Sequence, residues 1–352
     1  MAAISSIGTA SYWGERRSRV PDAKLATGIS KVAAVGWSNF LRLQVVTLAK
    51  ELRVALKEKV RWNSVADKSV PDPPTAVFIH GSFARRLSQE FPMWQFLLVD
   101  LRCHGDSASL KKLDPHSVAS AARDVLQLVR QLRITPRVLV GHSFGGKVAL
   151  SMVEQAAKPL ARPVRVWVLD ATPGKVRPGG DGEDHPGELI AFLQRLPRKV
   201  SSKQEVVSAI VQEGFSKDVA QWVVTNLRPI ENSNSRPVAF SWVFDLNGIA
   251  DMYKSYETTN IWGIVENVPR GVHMNFLKAE RSLHRWALED LQRIHAAEEL
   301  ASEEGAGVQM HVLEDAGHWV HADNPDGLFK ILSKSFKCTV AAKKVLNGLR
   351  SQ

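Results

Sequence analysis

Short apolar runs alternate with segments of helical periodicity along most of the chain, and this alternation constrains the fold more than any other feature. The runs are too apolar for hairpins with one face in water, which favours strands buried on both faces. They lie at 75–79, 94–99, 137–140, 164–169, 272–277 and 308–313. Strands that alternate with helices predict an α/β fold with a mostly parallel, doubly wound sheet.

The strand rhythm stops in the middle of this pattern. Residues 176–268 show helical segments instead, after a stretch rich in Gly, Pro and Asp at 178–187. We interpret 176–268 as an inserted helical cap between two parts of one core, 75–175 and 269–352. The second part is expected to end in a helix that begins near Asn324.

Residues 1–74 are interpreted as a basic N-terminal extension. Residues 1–35, rich in Ala, Ser, Gly and Arg, resemble an organelle transit segment, so we expect a chloroplast or mitochondrial location; a disordered cytoplasmic tail is the alternative. Apolar residues spaced three and four apart predict an amphipathic helix over 37–62, which either packs on its own domain or contacts a membrane surface. The prolines in 69–74 end this pattern.

Composition excludes several classes of protein. The formal net charge is +10, but residues 1–74 carry much of it and the remainder has no basic stripe with interleaved aromatic residues, so we expect no nucleic-acid partner. No apolar run approaches the roughly 20 residues of a membrane span. Two cysteines, Cys103 and Cys338, exclude a disulfide scaffold and match no metal-ligand spacing, which favours a reducing compartment and no bound metal.

One segment indicates chemistry directly. The apolar run at 137–140 leads straight into Gly141-x-Ser143-x-Gly145 and then into a helix predicted over 145–157. Glycines on either side of the serine allow the neighbouring chain to come close, and the turn places the serine hydroxyl at a helix N-terminus. Ser143 is therefore the candidate nucleophile, with a purely structural glycine-rich turn as the alternative.

Three further turns resemble those of the α/β-hydrolase superfamily. They are His80-Gly81-Ser82-Phe83 after the first core run, Asp100-Leu-Arg-Cys-His-Gly-Asp-Ser107 after the second, and Ala316-Gly-His318-Trp-Val-His321-Ala-Asp-x-Pro325 after the last. The third is similar to the histidine loop of the esterase and thioesterase branch. The resemblance covers about residues 74–337 and implies the α/β-hydrolase fold with a cap.

The resemblance also implies site residues. The family order of nucleophile, acid and histidine makes His318 the general base, with His321 as the alternative. The backbone amides of Ser82, or of Phe83 in its place, and of Phe144 are expected to form the oxyanion hole. His80 and His104 belong to the first two of these turns, where a structural hydrogen bond is the favoured role.

The acid departs from the family pattern. The family usually has Gly-x-x-Asp after the strand that follows the cap, but this chain has Ala279-Glu280-Arg281-Ser282 there. Asp170, at the end of the run 164–169, is our first choice, because some members supply the acid one strand earlier. Glu280 is second and Asp251 third. A cap or turn role for Asp170 stays open.

These features predict a serine hydrolase that cleaves a small-molecule carboxylic ester or thioester through an acyl-enzyme, without a cofactor. A serine at position 143 argues against branches that need a carboxylate nucleophile.

Candidate substrate-binding residues are Phe83, His142, Trp242 and Trp319. The aromatic residues of the cap either line an acyl pocket or belong to the core; they are Trp222, Phe240, Trp242 and Phe244. The alternatives are a weakly catalytic or non-catalytic receptor and a membrane-associated lipid or pigment ester hydrolase; a carboxylate near His318 would favour turnover. The sequence leaves the oligomeric state open.

Overall fold

The structure, a computed structural model, describes residues 44–47, 73–79, 84–110, 112–156, 164–177, 185–230, 239–282, 286–303 and 307–337. Its strands are β1 Gln44–Thr47, β2 Thr75–Ile79, β3 Gln95–Asp100, β4 Pro136–His142, β5 Val164–Leu169, β6 Lys199–Val200, β7 Leu227–Ile230, β8 Ala239–Trp242, β9 Val272–Ala279 and β10 Gly307–Leu313. Its helices are α1 Ala84–Glu90, α2 Val118–Gln131, α3 Phe144–Gln155, α4 Pro186–Arg195, α5 Lys203–Gln212, α6 Lys217–Val223, α7 Leu246–Thr258, α8 Trp262–Glu266, α9 Leu288–Glu303, α10 Val320–Asp323 and α11 Pro325–Ser333.

A seven-stranded sheet in the order β1-β3-β2-β4-β5-β9-β10 forms the centre of the molecule, and all its strand pairs are parallel. Buried side chains of α2 and α3 cover one face, and those of α1, α10 and α11 cover the other. The prediction of an α/β fold with a doubly wound, parallel sheet is confirmed. The six predicted strands are present, with bounds within two residues of those expected, because strands buried on both faces are continuous apolar runs.

The edge strand β1 corrects one prediction. Residues 44–47 were expected within an amphipathic helix over 37–62, but they form a strand in parallel register with residues 97–100 of β3. The helix prediction is therefore wrong at these four residues, where backbone pairing with the sheet edge outweighs helical periodicity. The other residues of 37–62 lie outside the described part of the chain, as do residues 1–35.

The cap contains strands as well as helices. The helices α4 to α8 lie within 176–268 as expected, but β6, β8 and β7 form a separate three-stranded antiparallel sheet there. The prediction of helices alone was wrong in this respect, because strands of two to four residues are too short to show a clear alternation. The cap helix α7 packs on the core, where Ser255 Oγ accepts a hydrogen bond from the amide of Val118 in α2.

The start of α2 differs from the expected one. The sequence Asp114-Pro115 predicts a cap at Asp114, because aspartate favours the N-cap and proline the first turn of a helix, but the cap is Ser117, whose Oγ accepts a hydrogen bond from the amide of Ser120 at 3.1 Å. Asp114 instead contacts the buried guanidinium of Arg102, which also bonds Asp124 at 2.8 Å. A buried charge needs such partners, and this pairing fixes the turn after β3.

Among the described helices, none combines the length and apolar character that a membrane span requires.

Candidate active site

Ser143 lies at a sharp turn between β4 and α3. Its backbone has φ +53° and ψ −115°, a conformation that non-glycine residues rarely adopt, and its amide donates to the carbonyl of Leu169 in β5 at 2.9 Å. Strain of this kind persists only where the surroundings enforce it, and it is frequent at functional sites. The turn places the serine at the N-terminus of the twelve-residue helix α3.

Two glycines allow the backbone to adopt this turn without steric clashes. A Cβ atom on Gly141 would lie 2.0 Å from the carbonyl oxygen of Gly145, and a Cβ on Gly145 would lie 2.3 Å from the carbonyl oxygen of Ile79. Both distances are far below van der Waals contact, so side chains are excluded at these positions. The glycine spacing in the sequence is therefore a packing requirement of the strand–turn–helix junction.

The hydroxyl of Ser143 is buried and, among the described residues, has no hydrogen-bond partner. Buried polar atoms are nearly always paired, so an exception calls for an explanation. In enzymes without substrate, the hydrogen bond between nucleophile and base is frequently long and tightens on binding. A buried hydroxyl at this turn, without a partner among the residues that the structure describes, fits the role of a nucleophile that bonds its base when substrate binds.

Asp170 and His318 meet directly. The Nδ1–H of His318 donates to Oδ2 of Asp170 at 2.8 Å, and the carboxylate is fully buried. Three more donors reach the same carboxylate: the amide of Ala279 at 3.0 Å, the hydroxyl of Ser282 at 2.7 Å and the indole of Trp286 at 2.8 Å. Four hydrogen bonds compensate the hydration that a buried carboxylate loses.

The position of Ser282 explains the departure from the family pattern. Ser282 stands where the resemblance led us to expect an aspartate, and its hydroxyl donates to the carboxylate of Asp170. The usual acid position and Asp170 thus lie side by side, at the ends of the neighbouring strands β9 and β5. In this chain the carboxylate that contacts His318 comes from the end of β5.

The other two candidate acids lie elsewhere. Oε2 of Glu280 accepts a hydrogen bond from the amide of Asp315 at 2.8 Å on the surface, and Asp251 is exposed on α7. Of the three carboxylates considered, Asp170 is the one whose contact with His318 is observed. Ser282 and Trp286, which orient Asp170, were missed by the sequence reasoning.

His142, next to Ser143, touches the candidate base. Its Nε2–H donates to the backbone carbonyl of His318 at 2.7 Å, and the two ring centroids are 4.6 Å apart. Burial, followed by the nearby His318 and His321, lowers the pKa of His142 well below its usual value, so the ring is neutral at pH 7. His142 was expected to bind substrate; in the structure its described contact holds the backbone of His318.

Comparisons with known proteins establish the family of the chain. The sequence profile of the Alpha/beta hydrolase family matches residues 76–331. The chain belongs to this family. It is 30% identical over 272 residues to the sn-1-specific diacylglycerol lipase ABHD11 of Mus musculus, with 72% of this chain and 77% of the lipase covered. A putative esterase/lipase of Haemophilus influenzae is 22% identical over 292 residues, with 80% of this chain and 90% of the relative covered.

Solved structures support the same fold for this alpha/beta hydrolase. A marine microorganism esterase superposes with a TM-score of 0.58 at 20% identity, covering 75% of this chain and 95% of the esterase. A likeness at this identity establishes the fold. Together with the family match and the sequence relatives, it confirms the predicted superfamily, and the hydrolase is a carboxylic ester hydrolase.

Aromatic residues connect the cap of the hydrolase with its histidine loop. The ring of Trp319 lies 6.5 Å from the ring of His318 and packs edge-on against Trp222 of α6 at 5.3 Å. The indole N–H of Trp222 is buried and, in the described part of the chain, has no partner. Trp242 instead stacks on Phe244 at 5.5 Å within the cap. The structure therefore places Trp222 of the cap against Trp319 of the histidine loop. The ring contact described for Trp242 lies within the cap instead.

Part of the predicted oxyanion hole lies outside the described residues of the hydrolase. This holds for His80, Gly81, Ser82 and Phe83, so the role of Ser82 stays a prediction. Phe144 is the first residue of α3, where amides have no partner within the helix, and its ring packs on Tyr256 at 5.9 Å.

Two further histidines that the sequence analysis considered, one as structural and one as the alternative base, lie in the described part of the chain. His104 is buried and its Nδ1–H donates to the carbonyl of Arg102 at 2.8 Å; burial lowers its pKa to about 4. His321, the alternative base, lies in α10 with its ring 6.0 Å from that of His142, and burial lowers its pKa. The observed carboxylate contact belongs to His318.

Proposed function

We propose that Ser143, His318 and Asp170 hydrolyse a carboxylic ester through an acyl-enzyme. The single observation that carries this proposal is the 2.8 Å hydrogen bond from His318 Nδ1 to the buried carboxylate of Asp170. That bond holds the proton on Nδ1, so Nε2 carries the lone pair that a general base needs. A carboxylate in this place also supports turnover over the alternative of a non-catalytic receptor.

The reaction has two half-reactions. Nε2 of His318 takes the hydroxyl proton of Ser143 while Oγ attacks the ester carbonyl, and the oxyanion accepts hydrogen bonds from the amide of Phe144 and the amide expected of Ser82. The C–O bond of the ester then breaks and the alcohol leaves with the proton from His318. Water attacks the acyl-enzyme with the same base and releases the acid, which regenerates Ser143.

The substrate class we propose is an ester with an apolar acyl chain, such as an acylglycerol. The lipase relative supports this choice, as does the apolar wall of Trp319 and Trp222 beside the histidine loop. A thioester of the same acyl chain is the second substrate to compare, because the same residues would attack either carbonyl. Diacylglycerol and an acyl-CoA of equal chain length, assayed side by side, distinguish the two.

The cellular setting remains a proposal from sequence. The composition of residues 1–35 supports a transit segment for a chloroplast or mitochondrion, with a cytoplasmic location as the alternative. Peripheral membrane contact through residues 37–62 likewise stays a prediction, although residues 44–47 of this segment pair with β3 as a strand and are not helical.

Labelling with a fluorophosphonate probe tests the nucleophile. Wild type is expected to label, and Ser143→Ala is expected to lose all labelling, because the probe phosphonylates an activated serine. Ser151→Ala is the matched control: Ser151 is a buried serine on the same helix, and its hydroxyl accepts from Gln155. Folded wild type that does not label would exclude the proposed chemistry.

Ser282→Ala is expected to lower kcat about tenfold with KM unchanged, because Asp170 loses one of its four donors and orients His318 less firmly. Steady-state kinetics on a soluble p-nitrophenyl ester measures both constants. Ser333→Ala serves as the control, since this buried hydroxyl donates to the carbonyl of Lys330 in α11. An unchanged kcat in Ser282→Ala would show that this hydrogen bond does not position the acid.

A further inference from the structure

A thiol, an imidazole and a carboxylate meet where the core contacts the cap, and the proposed ester hydrolysis uses none of them. Cys103 follows β3, His116 precedes α2, and Asp245 precedes α7 of the cap. Their ligand atoms all lie within 4.8 Å of one another, and Sγ of Cys103 is 3.3 Å from Nδ1 of His116. The residues are too far apart in sequence for any spacing motif, which is why the sequence predicted no metal.

The backbones of the core and of the cap helix α7 both come close to the sulfur atom of Cys103. Cys103 has φ +67°, and its carbonyl accepts a hydrogen bond from the amide of Asp245 at 2.9 Å. Gly248, in the first turn of α7, has no room for a side chain, because a Cβ there would lie 2.3 Å from Sγ of Cys103. The cap helix can approach the thiol this closely only at a glycine.

The charge around the thiol favours a cation. Burial first, and then the nearby carboxylates of Asp245, Asp251 and Asp124, together raise the pKa of Cys103 to about 12 against the opposing effect of Arg102. At neutral pH the group is therefore a protonated thiol, which excludes a second nucleophile of the cysteine–histidine type. The carboxylates near the thiol outnumber the one nearby guanidinium, and this local negative charge would favour a divalent cation beside the sulfur atom.

We propose that Cys103, His116 and Asp245 bind one divalent transition metal of the Zn²⁺ class and so fasten the cap to the core. Sulfur, imidazole nitrogen and carboxylate oxygen are the ligands of Zn²⁺, whereas Ca²⁺ and Mg²⁺ prefer oxygen alone. Binding releases the thiol proton to solvent, His116 coordinates through Nδ1 as a neutral ring, and water completes the coordination. Oδ1 of Asp245 accepts from the amide of Asn247 at 3.2 Å, which orients the carboxylate.

Titration of the reduced, chelator-treated full-length protein with CoCl₂ tests the site. One equivalent is expected to bind and produce a near-ultraviolet thiolate-to-cobalt absorption, which ZnCl₂ then removes by displacement. Cys103→Ser is expected to abolish that absorption, and His116→Gln and Asp245→Asn are each expected to weaken binding at least about tenfold. Cys338→Ser is the matched control and keeps the absorption, as does Ser143→Ala, which removes only the proposed nucleophile.

A thermal melt gives a second measurement. ZnCl₂ is expected to raise the Tm of wild type by several degrees and that of Asp245→Asn by clearly less at the same concentration, because stabilisation of the native state falls as the ion binds more weakly. Asn is also a good helix N-cap, so this variant should fold even where Cys103→Ser does not. Absence of the thiolate absorption in wild type, or its loss in Cys338→Ser and survival in Cys103→Ser, would overturn the proposal.

Discussion

Replacement of Asp170 by asparagine is expected to lower kcat for ester hydrolysis about 10⁴-fold, the size of the loss when a triad histidine is held in the wrong tautomer. The carboxylate oxygens of Asp170 accept four hydrogen bonds, from His318, Ala279, Ser282 and Trp286. An asparagine has only one acceptor oxygen, so its NH₂ group must face some of these donors. His318 would then turn its Nδ1 lone pair toward the amide and lose the lone pair on Nε2.

Glu280→Gln is the control for this experiment. Glu280 accepts from the amide of Asp315 on the surface, and a glutamine oxygen can accept the same bond, so we expect kcat within about twofold of wild type. Circular dichroism melts check that both variants fold. A severe loss in Glu280→Gln with little loss in Asp170→Asn would move the acid to β9 and contradict the assignment.

The core sheet could be predicted from sequence because of how its strands are buried. Strands such as Val164–Leu169, covered on both faces, must be apolar nearly throughout, and that is a local signal. The edge strand Gln44–Thr47 has no such signal, since its short apolar segment fits helical spacing equally well. Only pairing with β3 decides its conformation, and that pairing involves residues about fifty positions away.

The residues of the candidate site also fall into two groups, those with a local sequence signal and those without one. Ser143 and His318 lie in turns whose local sequence shows the geometry, whereas the donors that hold Asp170 do not. Ser282 and Trp286 reach Asp170 across 112 and 116 residues of chain, and no spacing rule connects them. His142 was a candidate substrate-binding residue, and its contact with the carbonyl of His318 joins residues 176 positions apart, which no local pattern shows.

Lys147 is a residue whose importance the sequence conceals entirely. It lies one turn after Ser143 on α3 and is fully buried beneath the cap. Its Nζ donates to three backbone carbonyls, those of Gly174 at 2.6 Å, Tyr256 at 2.7 Å and Thr259 at 3.2 Å. Tyr256 lies in the last turn of α7 and Thr259 directly after it, where carbonyls lack partners within the helix, so this lysine joins the nucleophile helix to the cap.

Because Lys147 is buried, its contribution to the free energy of unfolding depends on pH. Desolvation lowers the pKa of Lys147 from 10.5 to about 7, although Asp290 and Glu257 oppose the shift. Between these two values the unfolded chain binds a proton that the native protein does not, so the free energy of unfolding rises with pH. The rise from pH 7 to 8.5 is expected to be about 1.5 kcal/mol, part of about 4–5 kcal/mol over the full interval.

Urea denaturation at pH 7 and 8.5 measures this rise, and Lys147→Met isolates it. Methionine has similar length and no titratable group, so the variant is expected to lack the 1.5 kcal/mol increase while all other titrating groups contribute as in wild type. Lys175→Met, in the loop that follows Gly174, is the control and should keep the full increase. Equal pH dependence in wild type and Lys147→Met would mean that the three carbonyls hold the ammonium charged throughout, and that hydrogen bonding rather than desolvation governs this buried lysine.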